Sequence, residues 1–466
     1  MRLLVILRFA LPLAVSFLRD RRRWLFRGGP VARTPAFEAR RSARLLATIT
    51  RLGPSFVKLG QVFAGRADLL PEPYARDLSR LTDQVPPAPE VEVRSVLEGA
   101  LGAPVERVFE AFASEPIAAG SLGQVYRARY RGRDIAVKVL RPGVRQLVAR
   151  DIAAARRIVD RVVRWLPNVH TRAAQAVVDE FSLRVQEEMD FRREAENLKA
   201  VRANFAGNPR VRIPALVEEL SSGDVLVLEF MSGTRIDRLE PGVSYGGVRA
   251  ETVVERLIEL YVQMMLVDGF FHADPHPGNL FVAPDGALVL LDFGLVIRVP
   301  RDRRKQLVDT AFAAIRNDPR GVVDGFYAMG IIEPGTERVR IERLADTLLD
   351  LASQRTTTQE RIDFLTREIM DELYHWPIRL PSDLVYFART ANLIEGIGVR
   401  YDPRFNPIMS ASPVLFRMRG KLLASLSDQP LLDQLDWPTA IGYLLGRATR
   451  IIRNAGDRIA TLVGSL

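Results

Sequence analysis

Cysteine is absent from all 466 residues, which removes disulfide staples, thiolate nucleophiles and Cys-based zinc or iron–sulfur sites and makes a reducing compartment the simpler reading. Internal repeats and low-complexity tracts are also missing, so neither a solenoid nor a biased linker organises the chain. Lys and Arg number 66 against 56 Asp and Glu, a basic surplus that suits an anionic partner, yet no aromatic interleaving or reading motif accompanies it; a nucleic-acid role is set aside. Beyond the first eighteen residues no apolar run reaches the ~20 residues that span a bilayer.

That first stretch, Met1 to Leu18, is nearly all apolar and is bordered at once by Arg19, Arg21, Arg22, Arg23, Trp24 and Arg27. It carries Arg8 and Pro12, which leave it between spanning and lying flat, and no small-residue cleavage site follows it, so membrane contact is expected ahead of a helix packed on its own protein or a cleaved leader. At the other end, Ile441 to Leu466 alternates apolar positions with Arg447, Arg450, Arg453 and Arg458, the pattern of an amphipathic basic helix on a membrane or on the fold itself. A hydrophobic fraction of 47% over this length predicts more than one packed core.

Between these ends the pattern divides into an apolar, basic segment over 1–35, a helical region over 36–104, a mixed region over 105–232, a helical region with short strands over 233–420, and a basic tail over 421–466. Pro54, Pro71, Pro73 and the run Val85-Pro86-Pro87-Ala88-Pro89 interrupt the first helical region. A β-hairpin turning at Arg131-Gly132-Arg133-Asp134 is predicted next, then a long helical region from Val144 to Phe205, a buried strand over Val225 to Phe230 after the turn at Ser221 to Asp224, and a connector at Met231-Ser232-Gly233. A helix over Glu251 to Phe271 precedes two short strands around Pro284-Asp285-Gly286, and helices follow from Arg301.

The strongest chemical signal is His272-Ala273-Asp274-Pro275-His276-Pro277-Gly278-Asn279, followed by Asp292-Phe293-Gly294. Phosphoryl transfer from ATP needs Mg²⁺ on hard oxygen ligands and a carboxylate to orient the attacking hydroxyl. Asn279 and Asp292 are the candidate metal ligands and Asp274 the candidate catalytic carboxylate, at the spacing of the kinase catalytic loop and DFG segment. His272 and His276 lack a third ligand motif and make no zinc site. Upstream, Ala118, Ala119, Gly120, Ser121, Gly123 and Val125 form a small-residue loop able to cradle phosphates, with Lys138 on the following strand. Such a lysine needs a carboxylate partner, and Glu194 is available in the charged run from Glu187.

These segments resemble the UbiB/AarF family of atypical kinases. Lys58-Leu59-Gly60-Gln61 is similar to its KxGQ motif, Ala118 to Gly123 to its Ala-rich loop, Glu188-Met189-Asp190 to its ExD motif, and Glu194 to the helix glutamate that pairs with the strand lysine, over roughly residues 36 to 410. The resemblance implies an α+β, bilobal, protein-kinase-like fold in which helices carrying Lys58 and Gln61 cross the nucleotide cleft and Lys58 reaches Glu188 and Asp190. It implies ATP and Mg²⁺ as cofactors, ATP binding or hydrolysis over protein phosphorylation, and membrane association on the cytoplasmic side. As partners it implies an anionic membrane lipid or isoprenoid quinone precursor, with a biosynthetic complex for a quinone such as ubiquinone. Gly120 departs from the family's Ala-Ala-Ala run, which bears on nucleotide preference, because Gly permits backbone angles that Ala restricts. The family's pair of C-terminal transmembrane helices has no counterpart in the sequence. Two rival functions stand beside this one: a small-molecule kinase, and a non-catalytic ATP-gated lipid-binding protein in which Asp274 serves geometry alone.

Overall fold

The computed structural model describes residues 34–64, 72–78, 81, 86–165, 167, 169–273, 276–332, 337–353 and 381–426, with scattered positions between 5 and 16. The chain divides into two compact units, the first comprising Met1–Asn208, Arg212–Ser232 and Leu290–Leu295, the second Pro209–Val211, Gly233–Val289 and Val296–Leu466.

In the first unit, Thr34 caps the opening helix, α1 (Pro35–Leu52), by accepting the Phe37 N–H on its hydroxyl, with Pro35 preset for the first turn. Gly53, at φ 99°, ends α1 in a conformation that side chains avoid, and Pro54 starts α2 (Pro54–Ala64) at once. A third helix, α3 (Glu72–Leu78), completes this layer around buried Val57, Leu78 and Leu81. Gly60 is the point of closest approach: a Cβ there would lie 2.7 Å from Leu81 Cδ1 and 3.3 Å from Ile49 Cγ2. Helices α4 (Glu90–Leu101) and α5 (Val105–Val108) lead into the sheet.

That sheet is antiparallel and comprises β1 (Ala111–Phe112), β2 (Ala118–Ala119), β3 (Gly123–Tyr130), β4 (Arg133–Leu140) and β5 (Val225–Glu229), ordered β1-β3-β4-β5 with β2 paired to β3. Arg131 and Gly132, at φ 48° and 72°, form the two-residue hairpin turn whose twist matches the strands. One sheet face puts Tyr126, Ile135, Val137, Val139 and Val227 against Val93 and Leu97 of α4. The other carries Leu140 and Leu226 against a helical layer of α6 (Val144–Trp165), α7 (Val169–Glu188) and α8 (Phe191–Asn204). Each fully buried aliphatic side chain in these layers contributes about 1.5–3 kcal/mol. The helical region predicted from Val144 to Phe205 is built as three helices; the second break occurs because Asp190 turns its carboxylate onto the Arg192 N–H and caps a new helix.

Ile6 of the N-terminal segment is buried with Leu52 and Ala154, whereas Val5, Arg8 and Val15 are exposed. One side of the segment therefore packs on the protein, where the sequence alone favours membrane contact for it. Among the described residues no helix is long and apolar enough to cross a membrane. The expected basic helix over Ile441 to Leu466 lies outside the described residues.

In the second unit, β6 (Thr234–Arg235) precedes a small hairpin of β7 (Ser244–Tyr245) and β8 (Val248–Arg249), after which α9 (Ala250–Val262) begins. The predicted continuation of α9 to Phe271 is instead a π-helical turn, Gln263–Asp268, closed by Gly269 at φ 65°. Then β9 (Phe270–His272), β10 (Leu280–Val282), β11 (Leu288–Leu290) and β12 (Val296–Arg298) follow, with β9 paired antiparallel to β12 and β10 lying between β11 and β6. Helices α10 (Arg301–Ile315), α11 (Pro319–Ala328) and α12 (Arg338–Ser353) share a core at Val323, Ile332 and Ile341. Helices α13 (Ser382–Gly398) and α14 (Pro407–Leu426) complete the unit.

Candidate functional site

The first unit assembles most of the predicted residues. Ala118 pairs with Val125 and Ala119 with Gln124, so the loop is a tight hairpin with Gly120, Ser121, Leu122 and Gly123 at its tip, closed by the Gly120 N–H donating to Gly123 O at 2.9 Å. Gly123 is required for contact: a Cβ would lie 3.1 Å from Val139 O and 3.4 Å from the Phe191 ring. Gly120 is not, since a Cβ there would meet only Gly123 O at 3.4 Å and its φ lies outside the left-handed region. The expected conformational reason for glycine at 120 is thus not used in this structure.

Lys138 projects from β4 toward α8, its ammonium 5.2 Å from the Phe191 ring centre. It donates to both Glu194 oxygens at 2.8 Å and to Asp292 Oδ2 at 3.3 Å. Burial opposes the lysine charge, but Asp292 and Glu194 outweigh it and hold the ammonium above the ordinary lysine range. Glu194 is buried and must share that one cation with Asp292; burial first, and Asp292's charge with it, push its carboxyl up to about 7 despite the Lys138 contact.

Asp292 occupies the left-handed region at φ 59°, a conformation costing of order 1–2 kcal/mol for a non-glycine residue. Its Oδ1 accepts the Gly294 N–H at 3.0 Å, and the Asn197 amide donates to Phe293 O at 2.9 Å, fixing the turn from both sides. Gly294 is confined: a Cβ there would stand 3.1 Å from Asp292 Oδ1, with Glu194 and Glu188 next nearest.

Lys58 of α2 makes an ion pair with Glu188 Oε1 at 2.5 Å. The predicted pair of acids thus divides its work: Glu188 ends α7 and takes Lys58, while Asp190 caps α8. Gln61 donates to Leu81 O at 3.1 Å, tying α2 to the chain that leaves α3. Lys58 thus pairs with Glu188, and Lys138 with both Glu194 and Asp292.

In the second unit, β9 holds His272 fully buried, and Asn279 ends a 3₁₀ turn over Pro277–Asn279 in which His276 Nδ1 accepts the Gly278 N–H at 3.0 Å. Asp274 lies outside the described residues. Sequence reasoning passed over Asn197 and Phe191, which share one side of α8 with Glu194; their spacing from the candidate glutamate is the signal that points to them.

The fold is α+β and kinase-like, and comparisons with known proteins place it. The family model for the ABC1 atypical kinase-like domain matches residues 80–325. An uncharacterised Synechocystis protein is 32% identical over 86% of this chain and 73% of its own length. The Arabidopsis thaliana chloroplast protein named ACTIVITY OF BC1 COMPLEX KINASE 7 is 31% identical over 87% of this chain and 58% of its own length. Among solved structures, the Mycobacterium tuberculosis protein Rv3197, in complex with erythromycin, superposes with a TM-score of 0.55 at 26% identity, covering 76% of this chain and 90% of that one. By the matched domain, and by the chain-long similarity to these relatives, the protein belongs to the ABC1 atypical kinase-like family.

Proposed function

We propose that the protein binds Mg²⁺–ATP and hydrolyses it, or passes its γ-phosphoryl group to a small or lipid-borne acceptor, at a membrane surface and in support of isoprenoid quinone biosynthesis or lipid handling. The observation that carries this reading is Lys138, held by Glu194 and Asp292 beside a glycine-bearing hairpin. A lysine fixed in this way can place its charge on a phosphate, and loop N–H groups can share the anionic oxygens. Bound Mg²⁺ would neutralise charge developing on the phosphate oxygens. Asp292, in the first unit, suits such an ion, presenting a hard carboxylate whose side chain is 41% exposed; Asn279, in the second unit, is the other ligand that the catalytic-loop pattern assigns. Asp274 would orient the acceptor hydroxyl or water.

The Lys58–Glu188 pair favours hydrolysis or a small acceptor over a peptide, because it sets α2 beside the acids that surround Gly294. The same pair supports the second reading, an ATP-gated lipid-binding protein. Val5 and Val15, exposed on a segment whose Ile6 is anchored, support peripheral contact with a bilayer. Mg²⁺-dependent ATP hydrolysis, measured with and without anionic liposomes beside Asp292→Asn, tests the proposal. Stimulation by liposomes and loss of at least 100-fold in the variant are expected. Binding of nucleotide without turnover in any condition would leave the gated binding protein.

A further inference from the structure

Arg141 closes β4, just beyond Lys138, and grips the loop twice. Its backbone N–H donates to Leu122 O at 2.8 Å, and its guanidinium Nε donates to Gly120 O at 2.7 Å. The same guanidinium reaches Pro86 O through Nη2 at 2.9 Å, on the chain that follows the KxGQ helices. A second tie runs beside it: Gln124, buried in the strand, accepts the Ala88 N–H on Oε1 at 2.6 Å and donates to Tyr126 Oη at 2.9 Å. The hairpin tip and residues 86–88 are therefore bound together by two side chains from adjoining strands.

This matters for phosphate because a trans peptide points its carbonyl and its N–H in opposite directions. Fixing Gly120 O against Arg141 fixes the direction of the Ser121 N–H. Among the described residues neither the Ser121 nor the Leu122 N–H has a protein acceptor, although both residues are buried. Unused, preset donors at a hairpin tip are what an anionic oxygen requires.

We propose that Arg141 is a positioning residue that presets the loop's N–H groups for phosphate and mechanically couples the loop to residues 86–88, so that nucleotide binding and the seating of the KxGQ helices influence one another. The phosphate half of this inference rests on the nucleotide-binding reading above; the mechanical half does not.

The test uses the full chain with Arg141→Met, Arg141→Lys and Gln124→Ala, measuring affinity for Mg²⁺–ATP and for adenosine by calorimetry and amide exchange by mass spectrometry. Arg141→Met is expected to weaken Mg²⁺–ATP by about 10-fold or more while leaving adenosine within about twofold, and Arg141→Lys, which retains one charged donor, to fall between. In the nucleotide-free protein, Arg141→Met is expected to speed exchange over 119–124 and at Ala88, the one amide N–H of 86–88, together. Saturating Mg²⁺–ATP should slow exchange at Ala88 in the parent protein and much less in Arg141→Met, while Gln124→Ala, which removes the acceptor of that N–H, marks the fully released rate. Equal losses for Mg²⁺–ATP and adenosine, or a variant indistinguishable from its parent, would overturn the positioning role. If the parent protein binds no Mg²⁺–ATP, the nucleotide reading fails and takes the phosphate role with it. Nucleotide-free exchange decides the mechanical tie in every case, and unchanged exchange in both segments would refute it.

Discussion

The most exacting prediction concerns Glu194. Its carboxyl is pushed up to about 7 from an ordinary 4.5, with burial the first cause and the Asp292 charge adding to it. A carboxyl raised by folding binds protons better in the folded chain, so the stability it contributes is fully present below about 4.5 and is lost as pH rises through about 7. At about 1.36 kcal/mol per pH unit, the separation corresponds to about 3 kcal/mol of folding stability lost across that window. Lys138 keeps its proton throughout and adds no slope. Glu194→Gln removes the titration while keeping the shape, so the difference between parent and variant isolates it from every other group. Urea unfolding followed at closely spaced pH values from 5 to 8, without metal or nucleotide and with a probe in the first unit, reads that difference. The parent should lose stability relative to the variant as pH rises. Parallel curves would refute the claim that burial dominates at Glu194 and would leave a fully ionised pair with Lys138.

Gly60→Ala drives a Cβ to within 2.7 Å of Leu81 Cδ1, and the adjustment should destabilise the first unit by about 1–3 kcal/mol in denaturant unfolding without removing Lys58. The two loop glycines should separate cleanly: Gly120→Ala, with room and a permitted φ, is expected to stabilise by about 0.4–1 kcal/mol, whereas Gly123→Ala must push Val139 O or the Phe191 ring and should destabilise by about 1–3 kcal/mol. Lys58→Gln removes the positive charge paired with Glu188; a lost unit-charge interaction of about 1 kcal/mol should tighten Mn²⁺ binding about fivefold, read by electron paramagnetic resonance without nucleotide.

What the sequence made legible was local. The hairpin at Arg131 and Gly132, the buried strand after Asp224 and the strands around Gly286 each follow from turn residues flanked by β-branched runs, chemistry complete within a few positions. Residue type makes Glu194 available to Lys138 and the family resemblance pairs the two; the structure brings them together at 2.8 Å. The breaks in the region after Val144 were not legible, since a charged run reads as solvated helix until Asp190 is seen to spend its carboxylate on a backbone N–H. Nor was the π-helical turn at Gln263–Asp268, whose residues keep a helical pattern while the backbone widens. Arg141 and Gln124 escaped for a further reason: their partners are carbonyl and amide groups, which carry no side-chain signature.

Asp190 gives the arrangement its register. As the cap it fixes where α8 starts, and therefore which residues of α8 face the sheet. From that start Phe191 falls against Lys138, Glu194 falls on its ammonium, and Asn197 falls on Phe293 O, three contacts on one side of one helix. A shift of one residue turns the helix by about 100° and removes all three together. Glu188, on the other side of the two-residue break, belongs to a different helix and is free to orient toward Lys58. The two acids Glu188 and Asp190 are therefore effective because the helix breaks between them: one holds Lys58 of α2, and the other sets the phase of the helix that holds Lys138. An uninterrupted helix from Val169 to Asn204 could not place both, since side chains two positions apart project to different sides.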